Sequence, residues 1–196
     1  MGMPKHGGFT LIELMVALAV AAILLTIAVP SFQSVVNSNR LASSANEMMA
    51  ALQTARMEAL RLNKRGVVCL SANANSAAPS CSNASPTGWI TFIDVNKNGA
   101  YDSSSDTLLR TATASGAVTI RSSTAVAGKV IFRSDGMARD GSGNLLMGAI
   151  DMCLPTSNPA TNVSRVSIGS GSRVSVTKDD TNSDCSAYTV PTPTNT

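Results

Sequence analysis

Hydrophobic and polar positions divide the chain into three stretches of different periodicity. Residues 9–29 are apolar except for Thr10, Glu13 and Thr26. As a helix, a run of this length reaches roughly 31 Å, enough to cross the hydrocarbon core of a bilayer. From Pro30 onward the pattern turns amphipathic. Leu41, Ala45, Met48, Leu52, Ala55, Ala59 and Leu62 recur at alternating steps of four and three, which is one face of a helix. Arg40, Glu47, Arg56, Glu58 and Arg61 lie off that line and read as solvated surface. The spacing predicts an amphipathic helix over 30–65 that ends near Asn63 to Gly66. There Arg61, Lys64 and Arg65 suit a helix C-terminus and Gly66 can terminate it. An alanine-rich face of short reach fits packing on a sheet better than a coiled-coil seam.

The third stretch alternates short apolar runs with turn residues. "GVVCL" at 66–70, "WITFID" at 89–94, "TLLRTA" at 107–112, "AVTIR" at 117–121 and "KVIFR" at 129–133 read as strands. "LLMGAIDMCL" at 145–154, "VSRVSI" at 163–168 and "SRVSV" at 172–176 complete the set. Gly, Asn, Asp and Pro between them favour strands over helices. Residues 71–88 and 155–162 read as loops, and 191–196 as a disordered tail. The expected class is α+β: a long N-terminal helix packed on two small antiparallel sheets spanning 66–190.

Composition changes this picture little. Over 196 residues, 44% are hydrophobic but only 4% aromatic, which suits one loop-rich β domain with an added helix. A net charge of +3 gives no reason to invoke a nucleic-acid partner. Cysteine usage says more. Cys69, Cys81, Cys153 and Cys185 all follow the apolar run, and none is in a CxxC spacing. With His6 the single histidine, a zinc site is not expected. An even count beyond a membrane segment points to disulfides in an oxidising compartment. Three pairings are open, and Cys69–Cys81 with Cys153–Cys185 closes the shortest loops.

Lys5 and His6 precede the apolar run and no acidic residue does, so the short N-terminus belongs in the cytoplasm and the rest beyond the inner membrane. A cleaved secretory signal would have a shorter apolar region that ends in a small-residue cleavage site, whereas this run is longer and no clean A-x-A stands at its end by Pro30. A simple anchor leaves Glu13 unexplained. A carboxylate inside a spanning helix is costly and ordinarily has a partner, yet no Lys or Arg lies within one turn of it.

The segment Gly8-Phe9-Thr10-Leu11-Ile12-Glu13 and the run that follows resemble the class III leader of type IV pilins and type II secretion pseudopilins. That resemblance implies a leader over 1–8, a cut by the prepilin peptidase between Gly8 and Phe9, and N-methylation of Phe9. Residues 9–29 become the membrane and filament-core helix. Glu13 becomes the fifth mature residue, which the family uses for assembly, and can pair with the Phe9 amine of a neighbouring subunit. Pro30 falls where the family often carries a helix-weakening proline, so a kink or local melting is expected there. "GWITFIDVNKNGAYDSSSDTLLR" at 88–110 and "VIFRSDGMARDGSGN" at 130–144 are similar to the minor pilin and H-pseudopilin branch, the FimU/FimT and GspH group.

The resemblance implies a minor pilin of the inner membrane and then the pilus, with other minor and major pilins as partners. The alternatives it leaves are the H pseudopilin of a type II secretion system and a pilus-borne DNA receptor. DNA-receiving relatives carry Gly-Arg-x-Arg in a C-terminal loop, of which Gly171-Ser172-Arg173-Val174-Ser175 retains one arginine. DNA is therefore the less favoured partner, and Arg173 is the residue that would contact it. No Ser/His/Asp or Cys/His set can be assembled, so neither catalysis nor a small-molecule substrate or cofactor is expected.

One loop carries a metal question. Asp94, Asn96, Asn98, Gly99 and Asp102 fit the first, third, fifth, sixth and ninth positions of an EF-hand-like calcium loop. The twelfth position is Ser105, with Asp106 one place late, and no flanking helices are expected. A plain hairpin connection with its positive-φ turn at Asn98-Gly99 is the simpler reading.

Overall fold

One helix, α1 (Leu11–Leu62), runs without interruption through Pro30, and the β domain gathers on its second half. The computed structural model describes residues 9–140, 142–186 and 189–192. The leader, with Gly8, and positions 193–196 of the tail lie outside the described residues. At 52 residues, α1 is roughly 78 Å long. Burial, not a break in the helix, divides it. Every residue from 9 to 33 is exposed, whereas Leu41, Ser44, Ala45, Met48, Ala51, Leu52, Ala55 and Ala59 are buried. Leu62, read as the last residue of the apolar stripe, is instead 37% exposed, because the final turn projects past the sheets.

The helix ends at Asn63, within the expected range, and Gly66 is not the residue that stops it. Asn63 takes the left-handed conformation at φ 53, ψ 40, and its N–H reaches the Ala59 carbonyl. Gly66 lies already inside the first strand and serves a different end. A Cβ there would sit 2.1 Å from the Ala55 carbonyl oxygen. Small residues on both sides, Ala55 and Ala59 on α1 and Gly66 on the strand, thus let backbone approach backbone.

Among the described residues nine strands follow: β1 (Arg65–Ser71), β2 (Gly88–Asp94), β3 (Thr107–Thr113), β4 (Thr119–Ser122), β5 (Lys129–Phe132), β6 (Ala138–Arg139), β7 (Gly148–Cys153), β8 (Val163–Ile168) and β9 (Val174–Asp179). They form two antiparallel sheets, ordered β3-β2-β1-β5-β6 and β4-β7-β8-β9. Two expectations shift here. Residues 145–147 precede β7 instead of belonging to it, and Ser172 falls in a 3-10 turn (Ser170–Ser172) before β9. Helix α1 packs against strands of both sheets, and one core joins Leu41, Met48 and Leu52 to Trp89, Phe132, Ile150, Met152 and Ile168.

The larger sheet is covered on both faces, so β2 is buried at every position and β1 at all but its first. On the face away from α1, Val67, Cys69, Ile90 and Phe92 meet Ala74, Cys81 and Tyr101. The segments 71–87 and 94–106 therefore act as lids on a second small core. Cys69–Cys81 ties the first of them to β1, with Cα atoms 5.5 Å apart. Cys153–Cys185 ties the C-terminal segment to the end of β7 across 32 residues. Closing loops of these sizes contributes about 2–4 kcal/mol each, chiefly by restricting the unfolded chain.

A charge cluster sits in the smaller sheet. Asp151 of β7 is fully buried and accepts from Arg165 of β8 through Nε and Nη2, at 3.0 and 2.9 Å. Arg165 also reaches Asp179 of β9 at 2.7 Å. Burial pushes the Asp151 carboxyl up to about 6, outweighing the nearby guanidinium. Since this lies above the ordinary 3.8, the folded protein holds the proton more tightly than the unfolded chain. The stabilisation is complete below the unfolded value and is lost as pH rises through the folded one. Against an Asp151→Asn variant, the wild type should therefore lose melting temperature between about pH 4 and pH 7. Parallel curves would show that the carboxyl titrates normally.

Candidate assembly interface

An apolar segment exposed on every side distinguishes the N-terminal half of α1. Leu11, Ile12, Leu14, Val16, Leu18, Ile23, Leu24, Leu25 and Ile27 all have more than half their surface open. An amphipathic helix would hide one stripe; this one hides none, and by length and composition it can cross a membrane. Exposed apolar surface of this extent calls for lipid or for other apolar helices around it.

Glu13 is the single charge in this segment, and it is not without a local partner. Its Oε2 accepts the Thr10 N–H and the Thr10 hydroxyl, both at 3.0 Å. Its own N–H donates to Thr10 Oγ1 at 3.3 Å, which completes a capping box at the start of α1. Thr10, three positions before Glu13, is a polar partner that needs no basic residue nearby. The spacing Thr-x-x-Glu ahead of an apolar run carried the signal. Phe9, the residue expected to bear the amine, is adjacent to Thr10 and 90% exposed.

The other predicted site residues are scattered over the fold. Asp94, Asn96, Asn98 and Asp102 lie in or at the head of the β2–β3 connection, which is a hairpin loop without flanking helices. Its positive-φ positions are Lys97 and Gly99, so the expected Asn98-Gly99 turn is displaced by one residue at its first position. Among the described residues, no three His, Cys, Asp or Glu side chains converge as a metal cluster.

Arg173 is exposed at the β8–β9 turn. The other cations of 110–173 do not gather around it. Arg110 pairs with Glu47 at 2.6 Å, Arg139 with Asp135 at 3.0 Å and Arg165 with Asp151. Arg121 donates to the carbonyls of Cys185 and Ser186, and Lys129 to that of Gly99. Most of these charges are engaged within the domain, which weakens the electrostatic footprint that DNA binding needs. Glu47 likewise departs from the solvated role expected of it, since it joins α1 to β3.

Comparison with known proteins bears on both halves of the chain. The family model of the type II transport protein GspH matches residues 44–184, and that of the prokaryotic N-terminal methylation motif matches residues 3–29. Two crystal structures of the type IV minor pilin FimU of Pseudomonas aeruginosa are similar in fold, each at 18% identity. One superposes with a TM-score of 0.47 over 70% of this chain and 92% of FimU, the other with 0.49 over 71% and 90%. No curated protein matches the chain significantly.

Proposed function

We propose that this chain, which belongs to the GspH family of type II transport proteins, is a minor pilin held in the inner membrane and then built into a type IV pilus or its initiating complex. The observation that carries this reading is the all-round exposure of the apolar half of α1, with Glu13 at its head. A capping box can be closed by a neutral Gln as well as by Glu, so a spanning anchor alone does not require the charge. A helix that must leave lipid and join a bundle in one register does, because pairing with a cationic amine rewards a single alignment. In this reading the prepilin peptidase cuts after Gly8 and methylates Phe9. The β domain stands in the periplasm and meets other minor pilins. Pro30 supplies a point at which the helix bends or unwinds once packed.

The experiment compares Glu13→Ala with Glu13→Gln in the intact organism. Glutamine can keep the capping box but has no charge, so the pair separates capping from ion pairing. Both variants are expected to be processed normally and to be depleted roughly tenfold or more from the filament fraction, as loss of a desolvated charge pair implies. Incorporation of Glu13→Gln at wild-type level would contradict the pairing role.

A second reading, the H pseudopilin of a type II secretion system, is favoured by the description of the family itself. Deleting the gene decides between them. Loss of pili and twitching supports the first, and loss of exoprotein secretion with intact pili supports the second.

A further inference from the structure

The loop 94–106 begins at a buried carboxylate that forms no ion pair among the described residues. Asp94, the last residue of β2, is 1% exposed. Its Oδ2 accepts the Gly99 N–H at 3.0 Å, while its Oδ1 is buried without a hydrogen-bond partner. Among the described residues no ion pair to it is formed. A carboxylate removed from water with one oxygen unused is among the costliest groups a fold can bury. The bond to Gly99 turns the carboxylate toward the loop that follows it.

The oxygens around that loop share one chemistry. Asn96 Oδ1 accepts the Asn98 N–H at 3.0 Å, and Asn98 Oδ1 accepts the Ala100 N–H at 2.7 Å. Asp102 Oδ1 accepts from the Ser104 N–H and hydroxyl at 2.9 and 2.7 Å. Each amide oxygen keeps a lone pair, whereas Asp102 Oδ1 is fully used and leaves the other oxygen of that carboxylate for a cation. Asp106 is occupied otherwise: it accepts the N–H groups of Val95 and Asp102 at 2.9 and 3.0 Å and so draws the ends of the loop together.

We propose that this loop is a calcium site, with Asp94 Oδ1 as its anchoring ligand and side-chain oxygens of Asn96, Asn98 and Asp102 completing the protein's share. The donors are hard oxygens only, which excludes soft metals. Two carboxylates and two amides on an irregular loop suit the irregular shell of Ca²⁺ better than the small octahedron of Mg²⁺. So low a ligand charge places the affinity at about 10⁻⁴–10⁻³ M, the range of extracellular calcium modules. Lys129, which donates to the Gly99 carbonyl at 3.2 Å, brings a positive charge beside the loop and holds the affinity down. The proposal is independent of whether the protein serves a pilus or a secretion system.

The test uses the processed full chain in detergent micelles, stripped with chelator and titrated with CaCl₂ or MgCl₂ by calorimetry and thermal melting. Calcium is expected to bind in the stated range and to raise the melting temperature by a few degrees, with magnesium doing neither. Asp94→Asn keeps an acceptor for the Gly99 N–H and removes the buried charge. It should melt at or above wild type in chelator and lose the calcium shift. Should that variant fail to fold, Asp102→Asn and Lys129→Met carry the test, the first weakening calcium binding about tenfold and the second tightening it. Absence of calcium heat and shift in the wild type overturns the proposal. So does an undiminished shift in Asp94→Asn.

Discussion

Replacing Arg165 with methionine is expected to lower the stability of the β domain by about 3–5 kcal/mol at pH 7. The reason lies less in the lost attraction than in what remains. Asp151 has no solvent exposure, and the guanidinium is what satisfies both its oxygens. Without it, the carboxylate must stay charged in a dry site or take up a proton. Asp179, 40% exposed, can return to water and loses little. Thermal melting of the full chain in detergent should fall by roughly 10 °C or more for a loss of this size. Part of the loss should return near pH 5, where Asp151 protonates more readily. The double change Asp151→Leu/Arg165→Met should recover most of it, since a buried pair and an apolar pair of similar volume differ little. A single variant that melts like the wild type would mean that Asp151 has another source of compensation.

Gly66→Ala is expected to be among the most damaging one-carbon additions at the described glycines. The new Cβ would stand 2.1 Å from the oxygen and 2.8 Å from the carbonyl carbon of Ala55. Both atoms belong to helix backbone and cannot rotate away, so α1 and β1 must separate. Overpacking of this kind costs about 1–3 kcal/mol, and the upper end applies where no side chain can yield. The same displacement opens the core around Met48 and Leu52, so urea unfolding should show a lower midpoint with little change in slope. An unchanged midpoint would show that the helix and strand are less tightly apposed than the geometry requires.

Gly66 also illustrates how much was legible in advance. Its position after a basic cluster reads as a helix stop, because local pattern reports what a residue can do for its own segment. That it lets a strand meet a helix surface depends on Ala55, which belongs to another element. The stripe from Leu41 to Ala59 was readable because its periodicity is local. So was the unbroken apolar run of β1, whose lack of alternation signals burial on both faces. What covers the outer face was not readable: segments 71–87 and 94–106 look like solvent loops until Cys81 and Tyr101 are seen to fold back. The Glu47–Arg110 pair joins residues 63 apart, and nothing in the spacing marks it. The unpaired oxygen of Asp94 belongs to the same class, since a missing neighbour leaves no trace in a sequence. At the N-terminus the signal is local, since Thr10 and Glu13 spell out a capping box whatever cation Glu13 meets in assembly.

On the assembly role proposed for Glu13, that capping box fixes the carboxylate before any partner arrives. The Thr10 N–H and hydroxyl occupy Glu13 Oε2, and the amine expected at Phe9 is the next group along the same chain. Oε1 stays open, so a neighbouring subunit's amine would meet an oriented acceptor and would break no bond within its host. Holding the side chain in one rotamer in advance lowers the entropy that such a contact would cost.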